Sequence, residues 1–170
     1  RIAIVEADFC GSGASGRNSG AMGHWWTKLL ALVRMIGAED AQRVLRASID
    51  ILQDMHAFIG EHRIDCELRR VPSVWSATSP ASVGAWNGVF RAAESLGLTP
   101  PYRVLSKDEL RSMYGQGPYL AGVVEEGATR LQPALLARGL RAAAIARGVE
   151  IFEHSPVSGI EGGANAITVH

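Results

Sequence analysis

The chain opens with a short apolar run that ends in a carboxylate and leads into a glycine-rich segment. Residues 2–5 read Ile-Ala-Ile-Val, and Glu6 follows them directly. A continuous apolar run of this kind is typical of a strand buried on both faces of a parallel sheet. Residues 11–20 then contain four glycines in ten positions, which predicts a loop. The start of the chain therefore predicts a parallel strand with Glu6 at its carboxyl end, followed by a loop.

Helical and strand-like patterns alternate along the rest of the chain. A long helix is predicted from Ala38, with acidic residues in its first turn and an end near Gly60. Three more helices are predicted, namely from Ser79-Pro80 to Gly97, from the capping box Ser106–Glu109, and from Gln132-Pro133 to about Arg147. Strands are predicted within 66–78, 119–124, 149–153 and 166–169. This alternation predicts an α/β or mixed α+β fold.

Composition excludes several classes of protein. The chain has 170 residues, of which 47% are apolar and 20% charged, and this is typical of a globular protein with a real core. Its 17 Lys and Arg residues balance 17 Asp and Glu residues, which argues against a nucleic-acid binder that relies on a general basic field. No apolar run approaches the roughly 18 residues expected of an integral membrane segment.

The two cysteines bear on the expected compartment. Cys10 and Cys66 form neither a metal-ligand spacing nor a disulfide framework. Two free thiols fit a reducing compartment, and no secretory signal opens the chain, so we expect a cytoplasmic location. Peripheral association with a membrane stays open.

Both ends of the chain have a strand-like pattern. Arg1 stands at the start of the first apolar run, and His170 follows Ala-Ile-Thr-Val without a polar tail. We therefore expect the chain to be an internal piece of a longer protein. A change of composition near residue 130 predicts a boundary between subdomains.

The glycine-rich segment matches a dinucleotide fingerprint only in part. Residues 11–16 fit the string G-x-G-x-x-G, but five residues separate the first glycine from the strand. Gly16 is followed by Arg-Asn-Ser-Gly instead of an apolar helix, which argues against an NAD(P)-linked dehydrogenase that uses this string. A Rossmann unit also places a carboxylate at the end of its second strand to bind ribose hydroxyls, and Glu6 fits that position. The alternative for Glu6 is a solvated carboxylate at a strand end.

Taken together, Ile4-Val5-Glu6-Ala7-Asp8 and Gly13-Ala14-Ser15-Gly16-Arg17-Asn18-Ser19-Gly20 resemble the FAD-dependent oxidoreductases of the D-amino-acid oxidase family. The resemblance points to the branch that holds glycine oxidase, sarcosine oxidase, D-amino-acid dehydrogenase and gamma-glutamylputrescine oxidase. Two later segments agree with the family pattern, Gln132-Pro133 with its helix to Gly148, and Glu153-His-Ser-Pro-Val157. The resemblance covers nearly the whole chain.

The resemblance implies a partial Rossmann-like FAD-binding domain together with part of a substrate-binding domain. It assigns 1–37 and 131–170 to the FAD-binding domain and 38–130 to a helical, substrate-domain segment. It also implies FAD as cofactor, bound by Glu6, Gly13, Ala14, Ser15, Arg17, Asn18, Ser19, Gly20 and Val157.

Elementary chemistry is consistent with this implied cofactor site. Glycines let backbone N–H groups approach a pyrophosphate without an intervening side chain. Ser15 and Asn18 supply neutral donors, and the guanidinium of Arg17 suits a phosphate. The alternative is a tight connector in which Arg17 pairs with a surface acid.

His24 is the candidate for a catalytic residue. It follows the glycine-rich segment, and histidine is a frequent proton-transfer group. Next to Trp25 and Trp26 it is equally consistent with a packed structural residue. No metal site is predicted, because no Cys and His cluster has ligand spacing.

Other polar residues receive structural predictions. His56 lies on an apolar helix face and is predicted to be in the core. Arg69 and Arg70 are adjacent, so alternation places one of them in solvent, although the pair could reach an anionic substrate. Glu125 and Glu126 are predicted to form a solvated turn.

The resemblance implies an enzyme that oxidises the C–N bond of a small-molecule amino acid or amine by hydride transfer to FAD. Oxidase and dehydrogenase both stay open, and this chain alone is expected to be inactive. A second hypothesis is a non-catalytic α/β interaction module that binds no flavin by itself.

Overall fold

The computed structural model of the chain describes residues 1–163 and 166–170 and is a mixture of helices and short strands. The strands are β1 Ala3–Val5, β2 Ala21–Met22, β3 Arg69–Arg70, β4 Ser73–Ala77, β5 Arg103–Leu105, β6 Ala121–Glu125, β7 Thr129–Arg130, β8 Glu150–Phe152, β9 Ile160–Gly163 and β10 Ala166–Val169. The α-helices are α1 Ala14–Arg17, α2 Leu29–Ile36, α3 Ala38–Glu61, α4 Asn87–Ser95, α5 Lys107–Tyr114 and α6 Pro133–Ala146. Two 3-10 turns cover Trp25–Lys28 and Pro80–Ser82. This content confirms the predicted mixed α/β class.

The chain folds into two compact units. The first unit contains Arg1–Ala21, Phe58–Leu68 and Leu131–His170. The second contains Met22–Ala57 and Arg69–Arg130. The functional boundaries at residues 37 and 130 stay predictions. None of the helices in the described part of the chain combines the length and apolarity needed to cross a membrane.

In the first unit, β1 and β8 form a parallel pair. Ala3 lies opposite Glu150 and Val5 opposite Phe152, which confirms the parallel strand predicted at the start of the chain. Burial on both faces is not observed among the described residues, because Ile4 and Val5 remain 44% and 46% exposed. Strands β9 and β10 form a separate antiparallel pair.

Helix α6 directly precedes β8 in the chain, and both of its ends lie where the sequence predicts them. The Gln132 side chain caps the first turn by accepting from the backbone N–H of Leu135 at 3.0 Å, and Pro133 occupies the first helical position. Gly148 follows the helix with φ +81°, a left-handed conformation that favours glycine.

The second unit is built on an antiparallel sheet with β6 between β4 and β5. Val123 and Val124 of β6 are almost fully buried. A separate hydrophobic cluster lies between α2, α3 and α4. Its buried members are Trp26, Leu29, Leu32, Ala41, Leu45, Ala92 and Ala93. Strand β3 pairs with β7 in an antiparallel two-residue ladder.

Several predicted elements need correction. The glycine-rich segment predicted as a loop contains one helical turn, α1. Helix α2 was not predicted, although Leu29 and Leu32 bury one of its faces. The helix predicted from Ser79-Pro80 is a 3-10 turn followed by α4, which begins at Asn87.

The predicted long helix and the capping box at Ser106–Glu109 are confirmed. Helix α3 ends at Glu61, one residue beyond the predicted Gly60. At the start of α5, the Ser106 hydroxyl accepts from the Glu109 N–H at 3.2 Å and the Glu109 carboxylate accepts from the Ser106 N–H at 2.8 Å. These bonds from Ser106, together with Arg103, lower the pKa of Glu109.

Gly139 of α6 provides a test of packing in the first unit. A Cβ atom at this position would overlap the side chain of Ile64, which is buried. We expect Gly139→Ala to lower the free energy of unfolding by about 1–2 kcal/mol, because overpacking exceeds the roughly 1 kcal/mol gained in helix propensity. Gly60→Ala in α3 is the matched control, since a Cβ atom there meets no atom within 4 Å in the described part of the chain. Urea unfolding of both variants measures the difference, and equal stabilisation by both would contradict the packing seen here.

Candidate functional site

The carboxyl ends of β1 and β8 lie side by side and bring two predicted cofactor segments together. The backbone N–H of Glu6 donates to the carbonyl of Phe152 at 2.9 Å, and the N–H of Ser155 donates to the carbonyl of Glu6 at 2.8 Å. The Glu6 carboxylate accepts from the N–H of Asp8 at 3.0 Å and is half-buried. Val157 follows two residues after Ser155 and is 45% exposed. Open α/β sheets bind ligands outside this edge of their parallel strands.

Glu153 anchors the start of the glycine-rich segment. Its carboxylate accepts from the backbone N–H of Cys10 at 2.9 Å and from Nη2 of Arg141, on α6, at 2.8 Å. These contacts, that of Cys10 first, lower the pKa of Glu153. Burial, and then Glu153, raise the pKa of the Cys10 thiol. The ionised carboxylate therefore joins the glycine-rich segment to both β8 and α6.

Asn18 closes the glycine-rich segment on itself. Its Nδ2 donates to the carbonyls of Ala14 and Ser15, both at 3.0 Å, while its Oδ1 accepts from the N–H of Gly20 at 2.8 Å. The amide predicted to contact FAD is thus occupied by the backbone of the segment itself. Its direct contact with the cofactor stays a prediction.

Two glycines of this segment permit close backbone approaches. A Cβ atom at Gly16 would overlap the carbonyl oxygen of Gly11, and one at Gly20 would overlap that of Leu131. Gly20 also has φ +70°, which disfavours any other residue. These glycines shape the segment through the chain's own packing.

The outer rim of the segment is open. The exposed residues are Gly13, Ala14, Ser15, Arg17, Asn18 and Ser19. A Cβ atom at Gly13 would meet no atom of the described residues within 4 Å, so the backbone there is accessible. Arg17 has no carboxylate partner among the described residues, in contrast to the alternative in which it pairs with a surface acid. An accessible backbone beside an unpaired guanidinium suits the pyrophosphate of a dinucleotide such as FAD.

A second candidate site lies entirely within the second unit. It is a cavity of about 270 Å³, and we call it the His24 cavity. Its polar lining residues are His24, Gln53, His56, Arg70, Glu125 and Thr129. Met22, Ile49 and Leu52 supply much of its apolar wall.

His24 and Glu125 form a largely buried pair in this cavity. Nε2 of His24 lies 2.8 Å from Oε1 of Glu125, and the two side chains are only 13% and 14% exposed. Because a carboxylate only accepts, we assign the hydrogen to Nε2. Nδ1 is buried and has no hydrogen-bond partner among the described residues. The carboxylate therefore fixes the orientation of the ring.

Strands β3 and β7 bring Arg70 and Thr129 to the same cavity. The two residues lie directly opposite each other in the ladder, and Oγ1 of Thr129 lies 3.3 Å from Nε2 of His56. Arg70 makes no ion pair within the described part of the chain. Nearby Tyr102 remains a neutral phenol, because burial and then Glu125 raise its pKa to about 12.

The prediction of a solvated turn at Glu125 and Glu126 is wrong for Glu125. Glu125 is the last residue of β6 and belongs with Val123 to the alternation of one strand face, and Val123 is 1% exposed. Glu126 is exposed and contacts Arg103 at 3.3 Å. Alternation in the sequence does not separate the two, because Val123 and Val124 are both buried; Glu125 still lies in β6, opposite Ser73, whereas Glu126 follows the strand. Arg70 and Thr129 likewise carried no signal, because their meeting depends on a pairing across about sixty residues.

Comparison with known proteins finds a matching family model and two similar proteins. The model described as FAD dependent oxidoreductase matches residues 1–170. The chain is 26% identical to the probable oxidoreductase OrdL of Rhizobium meliloti (strain 1021), over 99% of this chain and 39% of that protein. It is 22% identical to the protein of the same description from Haemophilus influenzae, over 92% of this chain and 36% of that protein. The chain thus spans about two-fifths of the length of these relatives.

Solved structures show the same fold. The chain is similar to glycine oxidase from Geobacillus kaustophilus, with a TM-score of 0.77 and 21% identity over 99% of this chain and 44% of that one. It is also similar to L-alpha-glycerophosphate oxidase from Mycoplasma pneumoniae, a structure with FAD bound, with a TM-score of 0.72 and 17% identity over 99% of this chain and 42% of that one.

The adjacent residues Glu125 and Glu126 offer a matched test of the His24 cavity. We expect Glu125→Gln to lower the free energy of unfolding by about 1 kcal/mol, because the hydrogen bond from His24 loses its charged acceptor. Glu126→Gln removes an exposed ion pair and should leave stability nearly unchanged. Denaturant unfolding at neutral pH compares the two variants. A larger loss for Glu126→Gln than for Glu125→Gln would rule out the buried pair.

Proposed function

The chain belongs to the family of FAD-dependent oxidoreductases, and from this premise we propose that the intact protein oxidises the C–N bond of an amino acid or amine by hydride transfer to FAD. The observation that carries the proposal is the shared carboxyl edge of β1 and β8, where Glu6, the glycine-rich segment and the approach to Val157 converge. Glycine oxidase among the similar folds supports a C–N substrate.

We assign each proposed contact with FAD from the place of the residue at the strand end or in the glycine-rich segment. Glu6 would accept from ribose hydroxyls, because its carboxylate stands at the end of a parallel strand. The backbone at Gly13, with Ala14 and Ser15, would face the pyrophosphate, and Arg17 would neutralise part of its charge. Ser19 would continue the contact, whereas Gly20 is buried with its N–H donated to Asn18, so its contact with FAD stays a prediction. Val157 would lie against the adenine through its backbone. Bound FAD supplies the acceptor for the hydride.

His24 is the proposed proton-transfer residue of the reaction. Glu125 holds its ring through Nε2, as a carboxylate orients a catalytic imidazole in many enzymes. Nδ1 has no hydrogen-bond partner among the described residues but is buried, so taking a proton from a substrate amine requires the ring to move. This role needs the amine to lie in the His24 cavity.

The reaction class is tested on the intact protein by visible absorption. We expect the purified protein to show the bands of oxidised flavin, and anaerobic addition of glycine, N-methylglycine or a short alkylamine to bleach them. Glycerol 3-phosphate serves as the C–O control and should leave the bands in place. Bleaching by glycerol 3-phosphate alone would refute C–N oxidation. A colourless protein that takes up no added FAD would favour the interaction module.

A substitution at Gly13 tests cofactor binding without disturbing the fold. Its φ of −85° and ψ of −156° are allowed for other residues, and a Cβ atom has open space. We expect Gly13→Val to keep the stability of the flavin-free protein but to weaken FAD binding at least tenfold, because the side chain blocks approach to the backbone. Gly60→Val is the control, also without neighbours within 4 Å. Fluorescence titration with FAD measures the affinity of both variants. Equal affinities would show that the pyrophosphate of FAD does not lie against the backbone at Gly13.

A further inference from the structure

Helix α3 turns one face away from the core of the second unit. Ala41 and Leu45 bury the opposite face, with exposures of 0% and 1%. The outward face, which we call the α3 stripe, follows the helical spacing of three to four residues and consists of Asp40, Arg43, Ala47, Asp50, Ile51 and Asp54, all exposed. All six residues belong to the second unit. Ile51 is 56% exposed, so the stripe includes a large apolar side chain open to a partner.

Positive and negative charges are separated along the α3 stripe. Arg43 stands in its amino-terminal half, whereas Asp50 and Asp54 stand in its carboxyl-terminal half. Neither of these two aspartates makes an ion pair within the described part of the chain. Arg43 contacts Asp40 at 3.1 Å, but the two side chains are 75% and 58% exposed, and such a pair contributes little. The stripe is therefore complementary in charge to a second copy of itself that runs in the opposite direction.

A two-fold axis between two antiparallel α3 helices satisfies this complementarity. A symmetric dimer uses the same patch on both copies, so each contact across the axis occurs twice. With Arg43 opposite Asp54 of a second copy, Ala47 stands next to Ile51 of that copy, and both ion pairs form at once. A parallel arrangement would instead place Arg43 against Arg43 and Asp54 against Asp54.

A groove along the α3 stripe offers room for the apolar contact. It is lined by Ile36, Asp40, Arg43, Val44 and Ala47. Val44, Ala47 and Ile51 share one edge of the helix, so Ile51 of an antiparallel copy faces the groove beside Val44. The small side chain of Ala47 permits a close approach of the two helix axes, whose distance depends on the side chains at the contact.

We propose that the α3 stripe binds the α3 stripe of a second copy in antiparallel orientation, with two ion pairs between Arg43 and Asp54 on either side of an apolar centre formed by Ala47 and Ile51. This interface goes beyond the proposed oxidation, because its residues are distinct from those proposed to hold FAD or substrate. A contact made by one helix pair belongs with interfaces of less than about 1,200 Å², which are weak, so the dimer dissociates on dilution.

Sedimentation velocity of the intact protein tests this association. We expect the mass of a dimer at about 100 µM and that of a monomer at about 1 µM, as for a small interface. Arg43→Asp and Asp54→Arg should each give a monomer at the higher concentration, because two like-charge contacts replace two ion pairs. Arg91→Asp changes an exposed arginine of α4 and, as the matched control, should keep the dimer. A monomeric wild type at both concentrations, or a dimer in both stripe variants, would overturn the proposal.

A mixture of the two stripe variants distinguishes surface pairing from loss of the fold. In a mixed dimer the introduced carboxylate at position 43 meets the introduced guanidinium at position 54, and the native Asp54 of one chain meets the native Arg43 of the other. We expect an equimolar mixture to form this dimer at about 100 µM, although each variant alone stays a monomer. A mixture that stays monomeric would refute the pairing of Arg43 with Asp54.

The apolar centre is tested by Ile51→Ser. The dissociation constant of the dimer should rise at least roughly tenfold, because two isoleucine side chains lose their burial. Val104→Ser is the control, since Val104 is 60% exposed in the same unit, and it should change the constant by less than about twofold. Equal effects of the two substitutions would place the contact elsewhere. A dimer whose flavin no C–N substrate bleaches would contradict the proposed function alone, and bleaching by a strictly monomeric protein would contradict this interface alone.

Discussion

The parallel pairing of β1 with β8 is the constraint on which the proposed cofactor site depends. The two strands are about 145 residues apart in sequence, yet their register places Glu6 beside the residues that follow Phe152. The segment after Glu6 then runs along the segment after β8, where His154 donates its backbone N–H to the carbonyl of Asp8 at 2.7 Å. A shift of one residue would turn Glu6 to the other face of the pair. The register therefore determines which side chains stand at the edge where ligands bind.

Glycines in the glycine-rich segment are needed for two different reasons, the packing of the protein itself and the approach of a ligand. Gly16 and Gly20 are required by the protein itself, because carbonyl groups of Gly11 and Leu131 occupy the space of a side chain. Gly13 has no such neighbour among the residues that the structure describes, so their packing does not require a glycine there. An approaching ligand gives a reason for it, since a missing Cβ exposes the backbone. Asn18 holds the turn closed through its bonds to Ala14 and Gly20. These bonds pre-organise the exposed backbone before a cofactor binds.

The features predicted from sequence were those encoded by local signals. The parallel strand ending at Glu6, helix α3 and the capping box at Ser106 each rest on residues a few positions apart. Helix α2 was missed because its apolar run lies among tryptophans without a start signal, and tertiary burial of Leu29 holds it. The His24 cavity was missed as a site because distant strands and a helix assemble it. No short pattern announces that Arg70 will lie opposite Thr129.

The His24 cavity also shows why burial and charge must be considered together. A buried ion pair costs desolvation, so the pair of His24 and Glu125 adds little to stability even though its geometry is good. Hydrophobic side chains of similar volume would serve packing at least as well. What the pair provides is an imidazole of fixed orientation. The pair therefore orients the imidazole at the wall of the cavity more than it stabilises the fold.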